Sequence, residues 1–396
     1  MCDVPALRFP EFSGEWEKYV LTEFVERVTR RNKGNECKLP LTISAQYGLV
    51  DQITFFNKII ASDDMSNYYL LTNGDFAYNK SYSSEYPWGA IKRLDRYEYG
   101  ALSSLYICFR PLNHVSSDFL THYFETKKWH QGISEIAVEG ARNHGLLNIG
   151  IQDFFATKHY LPQSILEQEK IACFLNLIEE RIRLQNKIIE KLETLIKGIV
   201  DSIFTANEFP KVPFKEIYVR AGEGGTPATS NPEYYDNGTI PFIKIDDLQN
   251  KYIKTNKDCI TELGLQKSSA WIVPANSIIY SNGATIGAIS INLFPVCTKQ
   301  GILGVVPKAD INVEFLYYFM TSTAFTKAVE RIVTEGTMRT AYLKDINHIP
   351  CPVPCSVKQD EIAKLLSTLS EKLENEVIFQ MKLQKQKEFL LSQMFI

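Results

Sequence analysis

The residues that could do chemistry do not assemble into a catalytic pattern. Gly222-Glu223-Gly224-Gly225 has no Gly-Lys-Ser/Thr after it, so it is not a phosphate loop, and no Gly-x-Gly-x-x-Gly occurs. Asn231-Pro232-Glu233-Tyr234 approaches the Asn-Pro-Pro-Tyr run with which amino-methyltransferases hold a target base. Glu233 stands where the second proline would be, and no glycine-rich cofactor strand accompanies it, so the stretch reads as a turn. The histidines, His114, His122, His130, His144, His159 and His348, form no ligand pair on one helix face. Cys351-Pro352-Val353-Pro354-Cys355 has two prolines in its gap and no second Cys/His pair nearby, which makes a poor zinc site. The expectation is a chain with no catalytic residues, no metal and no cofactor of its own.

A binding chemistry fits better. Several loops combine amide, hydroxyl, aromatic and cationic side chains. Asn and Gln pair with adenine edges, Arg and Lys with guanine, and Ser, Thr and backbone amides hold phosphate. In the first half the candidates are Arg30, Arg31, Lys33, Asn79, Lys80, Tyr82 and Arg142. In the second half they are Thr226, Lys244, Ser281, Asn282, Thr285, Lys299, Gln300 and Arg339. An exposed lysine or asparagine is ordinarily just solvated surface, so the expectation rests on the loops more than on single residues.

The elements that must position these loops follow a repeat. Over Ile165 to Phe204, Ile171, Leu175, Ile178, Ile182, Ile189, Leu192, Ile196, Ile199 and Ile203 recur in steps of four and three, with Gln185 interrupting. Such a heptad seam predicts a helix of roughly 60 Å that needs a partner helix. Gln359 to Ile396 supplies one: Gln168-Glu169-Lys170-Ile171-Ala172 returns as Gln359-Asp360-Glu361-Ile362-Ala363, and Ile362, Leu366, Leu369 and Leu373 fall on the first four seam positions. Beyond Leu373 the seam positions turn polar at Glu376, Gln380 and Lys387, with Val377, Met381 and Leu383 beside them. That half is expected to be less regular or to face another protein.

The segments ahead of the helices also correspond. Asp75 to Tyr78 matches Ser277 to Tyr280, Asn79 to Ser83 matches Ser281 to Thr285, and helical patterns at Phe119 to Gly132 and Glu314 to Arg331 match each other. The division expected is 1–160, a first recognition domain; 161–208, a helical spacer; 209–350, a second recognition domain; and 351–396, a second helix. The fold class is α+β, with two similar globular domains separated by a long antiparallel helical pair. Two copies in one chain imitate a symmetric dimer.

Composition sets the remaining bounds. With 45% apolar and 12% aromatic residues among 396, the chain can bury large cores. A formal charge of −3 excludes a nucleic-acid reading from overall charge, so any DNA-binding face is a local concentration of cations. Scattered cysteines and an N-terminus without a basic start or apolar run predict a cytoplasmic protein with reduced thiols. The uncharged run Ser268 to Thr298 is broken by Pro274, Gly283 and Pro295, so it predicts short strands of a sheet and no membrane span.

Six stretches in order give the chain a family likeness. They are Gly74 to Asn79 with Ile91 to Asp95; Gly225 to Tyr234; Ser281 to Gly287; Lys299-Gln300-Gly301; and the two Leu/Val-Pro to Gln-x-x-Ile-Ala junctions at 161–172 and 353–363. Over essentially its whole length the chain resembles the specificity subunit of Type I restriction-modification systems. The resemblance implies two target recognition domains, each reading half of a split double-stranded DNA sequence in the major groove, with helices as spacer. It implies a non-catalytic subunit that docks modification subunits, which bind S-adenosylmethionine and methylate adenine, and restriction subunits, which use ATP and Mg. The rival expectations are a coiled-coil scaffold whose globular ends bind protein, and an enzyme whose site is assembled in space and leaves no motif in sequence.

Overall fold

The computed structural model describes every residue except 1–2, 59–60, 138–146, 207, 284 and 334–338. The chain forms two compact units: residues 1–185 together with Phe379–Ile396, and Asn186–Ile378. The sequence treats the long helices as segments of their own, whereas by contacts each helix is divided between the units. Four helices position everything else: α1 (Ser117–Glu125), α2 (Ile165–Thr205), α3 (Val313–Thr321) and α4 (Ser356–Met394).

Each unit holds two main sheets beside a two-stranded pair, which joins Glu17–Val20 to Lys158–Leu161 in the first and Lys211–Pro213 to Pro350–Pro352 in the second. In the first unit the strands Val25–Arg27, Ile107–Pro111, Phe76–Asn79 and Ala90–Arg93 are neighbours in that order, all antiparallel. The other sheet runs Gly48–Asp51, Pro40–Ser44, Tyr99–Leu102, Tyr69–Thr72, and its Pro40–Ser44 and Tyr99–Leu102 pair in parallel. The turn at Asn73-Gly74 needs a glycine, because Gly74 sits at φ +89°. In the second unit Tyr218–Glu223, Ile302–Pro307, Ser277–Ser281 and Ile289–Asn292 repeat the first sheet, and Tyr252–Ile253 adds a fifth, parallel strand. A three-stranded sheet, Asp258–Ile260, Ile240–Ile243, Cys297–Thr298, repeats the parallel pairing. Each expected domain helix is two helices: the first breaks between Glu125 and His130, the second at Ser322, whose hydroxyl caps Phe325.

The cores are aromatic. Phe76 stacks on Phe109 with centroids 5.4 Å apart, and α1 closes over them with Phe119, Tyr123 and Phe124. Phe214, Tyr280, Phe315, Phe319 and Phe325 serve the second unit.

A buried glutamine ties each domain to its long helix. Gln168 Oε1 accepts from the Ser116 amide at 2.8 Å, and its Nε2 donates to the Pro162 carbonyl at 2.9 Å. Gln359 repeats both bonds, from the Asn312 amide and to the Pro354 carbonyl, each at 2.9 Å. Ser116 and Asn312 are the N-caps of α1 and α3, so one side chain fixes a helix start and a chain junction together.

Along α2 the seam residues Ile171, Leu175 and Ile178 are buried, and Ile182 packs at the core margin. On α4, Ile362 and Leu366 are buried, and Leu369 and Leu373 are half-buried. After Leu373 the seam positions turn polar, as the sequence has it, and Val377, Ile378, Phe379, Met381 and Phe389 beside them are exposed. The helix is unbroken to Met394, and its less exposed positions continue through Glu376, Gln380, Leu383, Lys387, Leu390 and Met394 in the same steps. Of these polar residues Lys387 meets Glu179 of α2 at 2.6 Å, and Glu376 meets Lys372 one turn earlier on its own helix. The end of α4 belongs to the first unit's core, where Leu390, Leu391, Met394 and Phe395 pack with Trp16, Phe119 and Leu175. The two helices run antiparallel there, since Arg181 lies over the Phe379 ring while Ile171 shares a cluster with Leu390 to Phe395.

Polar groups mark the same point in both copies. His122 of α1 bonds Asn176 of α2 at 2.8 Å, and Tyr318 of α3 bonds Ser367 of α4 at 3.4 Å. In the second unit Lys251 also enters, reaching Glu314, Tyr318 and Ser367. Burial works against ionisation of Glu314, but hydrogen bonds from Ser367, Tyr252 and Lys251 outweigh it and hold the carboxyl below its ordinary range.

This packing has measurable outcomes. Phe395→Ala should destabilise the first unit by about 3 kcal/mol, read by urea unfolding through Trp16, Trp88 and Trp129 in a Trp271→Phe background. Acid should also act on the first unit before the second. Burial lowers the pKa of His122 and takes His159 down to about 3, while an unfolded histidine titrates near ~6.5. The unfolded chain therefore binds protons that the folded unit refuses, and stability is lost as pH falls below about 6.5, by about 2 kcal/mol at pH ~5 from His159 alone. His348, the only histidine of the second unit, is exposed. Unfolding curves at pH 7.5 and 5 should show the first unit's midpoint falling further.

Candidate nucleic-acid interface

In the second unit the candidate loops meet at one edge. The Gln300 amide donates to Thr226 Oγ1 at 3.3 Å, joining the 224–227 and 299–301 segments. The Lys299 amide donates to the Ile243 carbonyl, which sets Lys299 beside Lys244 at the end of strand Ile240–Ile243. The Asn282 and Gly283 amides both donate to the Gly301 carbonyl, and the Ala341 amide donates to the Asn282 carbonyl. Thr226, Lys244, Ser281, Asn282, Lys299 and Gln300 thus belong to one knot of backbone. Gly224 permits it, since a Cβ there would lie 1.9 Å from the Thr298 carbonyl oxygen.

Their accessibility differs. Lys299, Gln300, Thr285 and Arg339 are exposed. Thr226 and Lys244 are half-buried, and Lys244 is ion-paired to Asp258 at 2.9 Å. Ser281 and Asn282 are fully buried, so neither side chain is open to a ligand, and among the described residues Ser281 Oγ and Asn282 Oδ1 have no hydrogen-bond partner. Asn282 Nδ2 donates to Glu223 Oε1 at 2.8 Å and to the Ala341 carbonyl at 3.1 Å, which makes it the strut of the knot. Thr285 and Arg339 line a cavity of about 300 Å³ whose floor is Tyr280, Met320 and Val329.

In the first unit Arg30 and Lys33 are exposed. Arg31 is committed within the unit: its guanidinium lies 4.3 Å from the Tyr69 ring centroid and its Nη1 donates to the Asn67 carbonyl at 2.5 Å. Between them Asn32 is buried and bonds both the amide and the carbonyl of Cys37 at 2.9 Å, which shapes the loop. Asn79 ends its strand with Oδ1 accepting from the Ser81 amide at 2.9 Å, Lys80 is half-buried, and Tyr82 is 52% exposed. Arg142 and the residues around it lie outside the described residues, as does most of the loop before Arg339.

Two struts escape the sequence reading. Asp75 is fully buried, takes Arg110 Nε at 2.7 Å and accepts the Thr72 amide at 2.8 Å, so it clamps the turn ahead of strand Phe76–Asn79. Glu223 receives Asn282. No spacing signal announces either pair, because the partners are 35 and 59 residues apart. Among the described residues no group of three His, Cys, Asp or Glu could hold a metal ion, and no helix is long and apolar enough to cross a membrane.

Asn282→Ala should cost about 2 kcal/mol, since it leaves buried acceptors unpaired, and should speed hydrogen exchange at 281–283, 299–302 and 341. Lys299→Ala should stay within about 0.5 kcal/mol of the parent. Urea unfolding and exchange mass spectrometry check both.

Known proteins resemble the chain both in sequence and in fold. The model of the Type I restriction modification DNA specificity domain matches residues 211–382. The specificity subunit of the Type I restriction enzyme MjaIX of Methanocaldococcus jannaschii is 29% identical over 191 residues, 46% of this chain and 44% of that one. The HindI specificity subunit of Haemophilus influenzae is 31% identical over 159 residues, 38% of this chain and 34% of that one. The chain thus matches less than half the length of these relatives. Among solved structures, a chain from a study of the assembly and conformational transition of the type I R-M system aligns over 96% of this chain and 97% of its own, with a TM-score of 0.61 and 16% identity. The Type I restriction-modification S subunit from M. genitalium aligns over 99% of both chains, with a TM-score of 0.56 and 16% identity. These solved structures share the fold.

Proposed function

We propose that this chain, similar in sequence and fold to the specificity subunits of Type I restriction enzymes, is such a subunit and reads a bipartite double-stranded DNA target, one half-site per unit. The observation that carries the reading is the repeat itself: one plan of two main sheets, a capped helix and a long helix occurs twice. In the second unit it exposes Lys299, Gln300 and Arg339, and in the first Arg30, Lys33 and Tyr82. Exposed cations contact phosphates, and amides and arginines reach base edges in the major groove.

The chain supplies recognition and leaves chemistry to its partners. Modification subunits would bring S-adenosylmethionine and methylate adenine, and restriction subunits would bring ATP and Mg. The helices serve as spacer between the readers. A continuous 41-residue α2 at ~1.5 Å per residue gives length enough for half-sites about one DNA turn (~34–36 Å) apart.

Methylome sequencing of a host that expresses the chain with its modification subunit tests the whole reading. One split adenine-methylated motif is expected; methylation without sequence preference would sink it. The complex should bind that DNA with a steep salt dependence, and Lys299→Ala with Arg339→Ala should lower the log–log slope by about 0.9 for each phosphate no longer neutralised. Arg339→Ala should weaken the second half-site alone, and Arg142→Ala the first. Inserting seven residues between Glu179 and Glu193 should change the unread gap and leave both half-sites as they were.

A further inference from the structure

In each unit an arginine lies over an aromatic ring. The Arg220 guanidinium is 4.1 Å from the centre of the Trp271 ring in the second unit, and Arg31 is 4.3 Å from that of Tyr69 in the first. The two rings hold the same place in the repeated plan. Leu71 faces Gly100 as Val273 faces Val296, and two residues ahead of these stand Tyr69 and Trp271. Gly74 and Asn276, in the turn that follows, both have positive φ, and their amides donate to the carbonyls of Leu94 and Asn292.

The arginines themselves do not correspond. Arg220 stands opposite Val306 on strand Tyr218–Glu223, where the first unit has Glu26 opposite Arg110. Arg31 comes from the loop beyond strand Val25–Arg27. The ring therefore belongs to the shared plan, but the cation reaches it from a different part of the chain in each copy. Repetition of the fold does not account for that.

The second unit builds a seat for its ring. Gly222 and Gly304 face each other across two strands. A Cβ at Gly222 would lie 3.5 Å from Trp271 Nε1, and one at Gly304 would lie 3.0 Å from Trp271 Cζ2, so the indole rests on the bare pair. Its Nε1 donates to the Glu223 carbonyl at 3.2 Å. The Glu223 side chain takes Asn282, and Ser269 and Ala270 lie against Gly225, next to the Thr226 that meets Gln300. The ring under Arg220 is thus tied to the knot that exposes Lys299 and Gln300.

Arg220 is exposed, and among the described residues nothing accepts a hydrogen bond from its guanidinium. Packing on the indole restricts the side chain and leaves its N–H donors uncommitted. A lysine on a flexible stem is enough to meet a phosphate as a point charge. A restrained planar fork suits two acceptors in a fixed place, and guanine O6 and N7 in the major groove are such a pair. We propose that Arg220 reads a guanine of the second half-site and that Trp271 is its positioning residue. This rests on the reading of the chain as a DNA-recognition subunit, and it adds a side chain that lies outside the loops singled out by sequence.

The test uses the full chain expressed with its modification subunit and reads the methylated motif of the host genome. Arg220→Lys and Arg220→Ala should each relax one G·C pair of one half-site by about tenfold or more and leave every other position as in the wild type. Arg220→Lys keeps the charge, so its melting temperature and the log–log salt slope of its complex should be unchanged. Trp271→Leu, which removes the ring, should relax the same pair; relaxation of a different pair overturns its positioning role. An Arg220→Lys chain that keeps the complete motif, or one that relaxes an A·T pair, overturns the proposal and leaves the DNA-recognition reading standing. So does an Arg220→Ala chain that binds every sequence more weakly by one factor with a lower slope, as loss of a phosphate contact would give. A wild-type complex that yields no split motif overturns both.

Discussion

Everything in this fold hangs on a buried glutamine used twice. Gln168 and Gln359 each join a proline carbonyl at the end of a domain to the N-cap amide of that domain's main helix. A side-chain amide suits the place because it offers one acceptor and two donors in a fixed plane, and the two groups it serves are a donor and an acceptor. Glutamate would carry an uncompensated charge inward, and leucine would leave both backbone groups unpaired. Within each unit the start of the long helix cannot rotate about its axis without breaking these bonds.

This explains which parts of the structure are legible in sequence. The repeat, the seam and the turn at Gly74 are periodic or local, and they are visible without coordinates. The Gln-x-x-Ile-Ala motif is visible too, though as a string; its meaning appears only when the glutamine is seen bonded to an N-cap 47 to 52 residues earlier. The polar turn of the stripe after Leu373 is legible as well, but what one of its residues does is not. Polar residues at Glu376 and Lys387 read as a weak seam when taken alone, but Glu179 lies on another helix and converts Lys387 into a pairing position.

The loops are legible as loops and not as surfaces. Asn282 has the right side chain to touch a base and spends its amide group on Glu223 and Ala341 instead. Lys244 has the right charge and gives it to Asp258. Composition counts such residues as available, and only the positions of partners farther along the chain show which are occupied. The exposed and uncommitted remainder, Thr285, Lys299, Gln300, Arg339, Arg30, Lys33 and Tyr82, is a shorter and sharper set.

The division of the chain has a consequence for the order in which it is built. The second unit is contiguous, Asn186–Ile378, so all its residues are present together before residues 379–396 are added. The first unit needs Leu390, Leu391, Met394 and Phe395 to close its core over Trp16 and Phe119. The half that leaves the ribosome first therefore waits with an open aromatic cleft until those four arrive. A chain truncated ahead of Leu390 is left with an intact second unit and an unfinished first one.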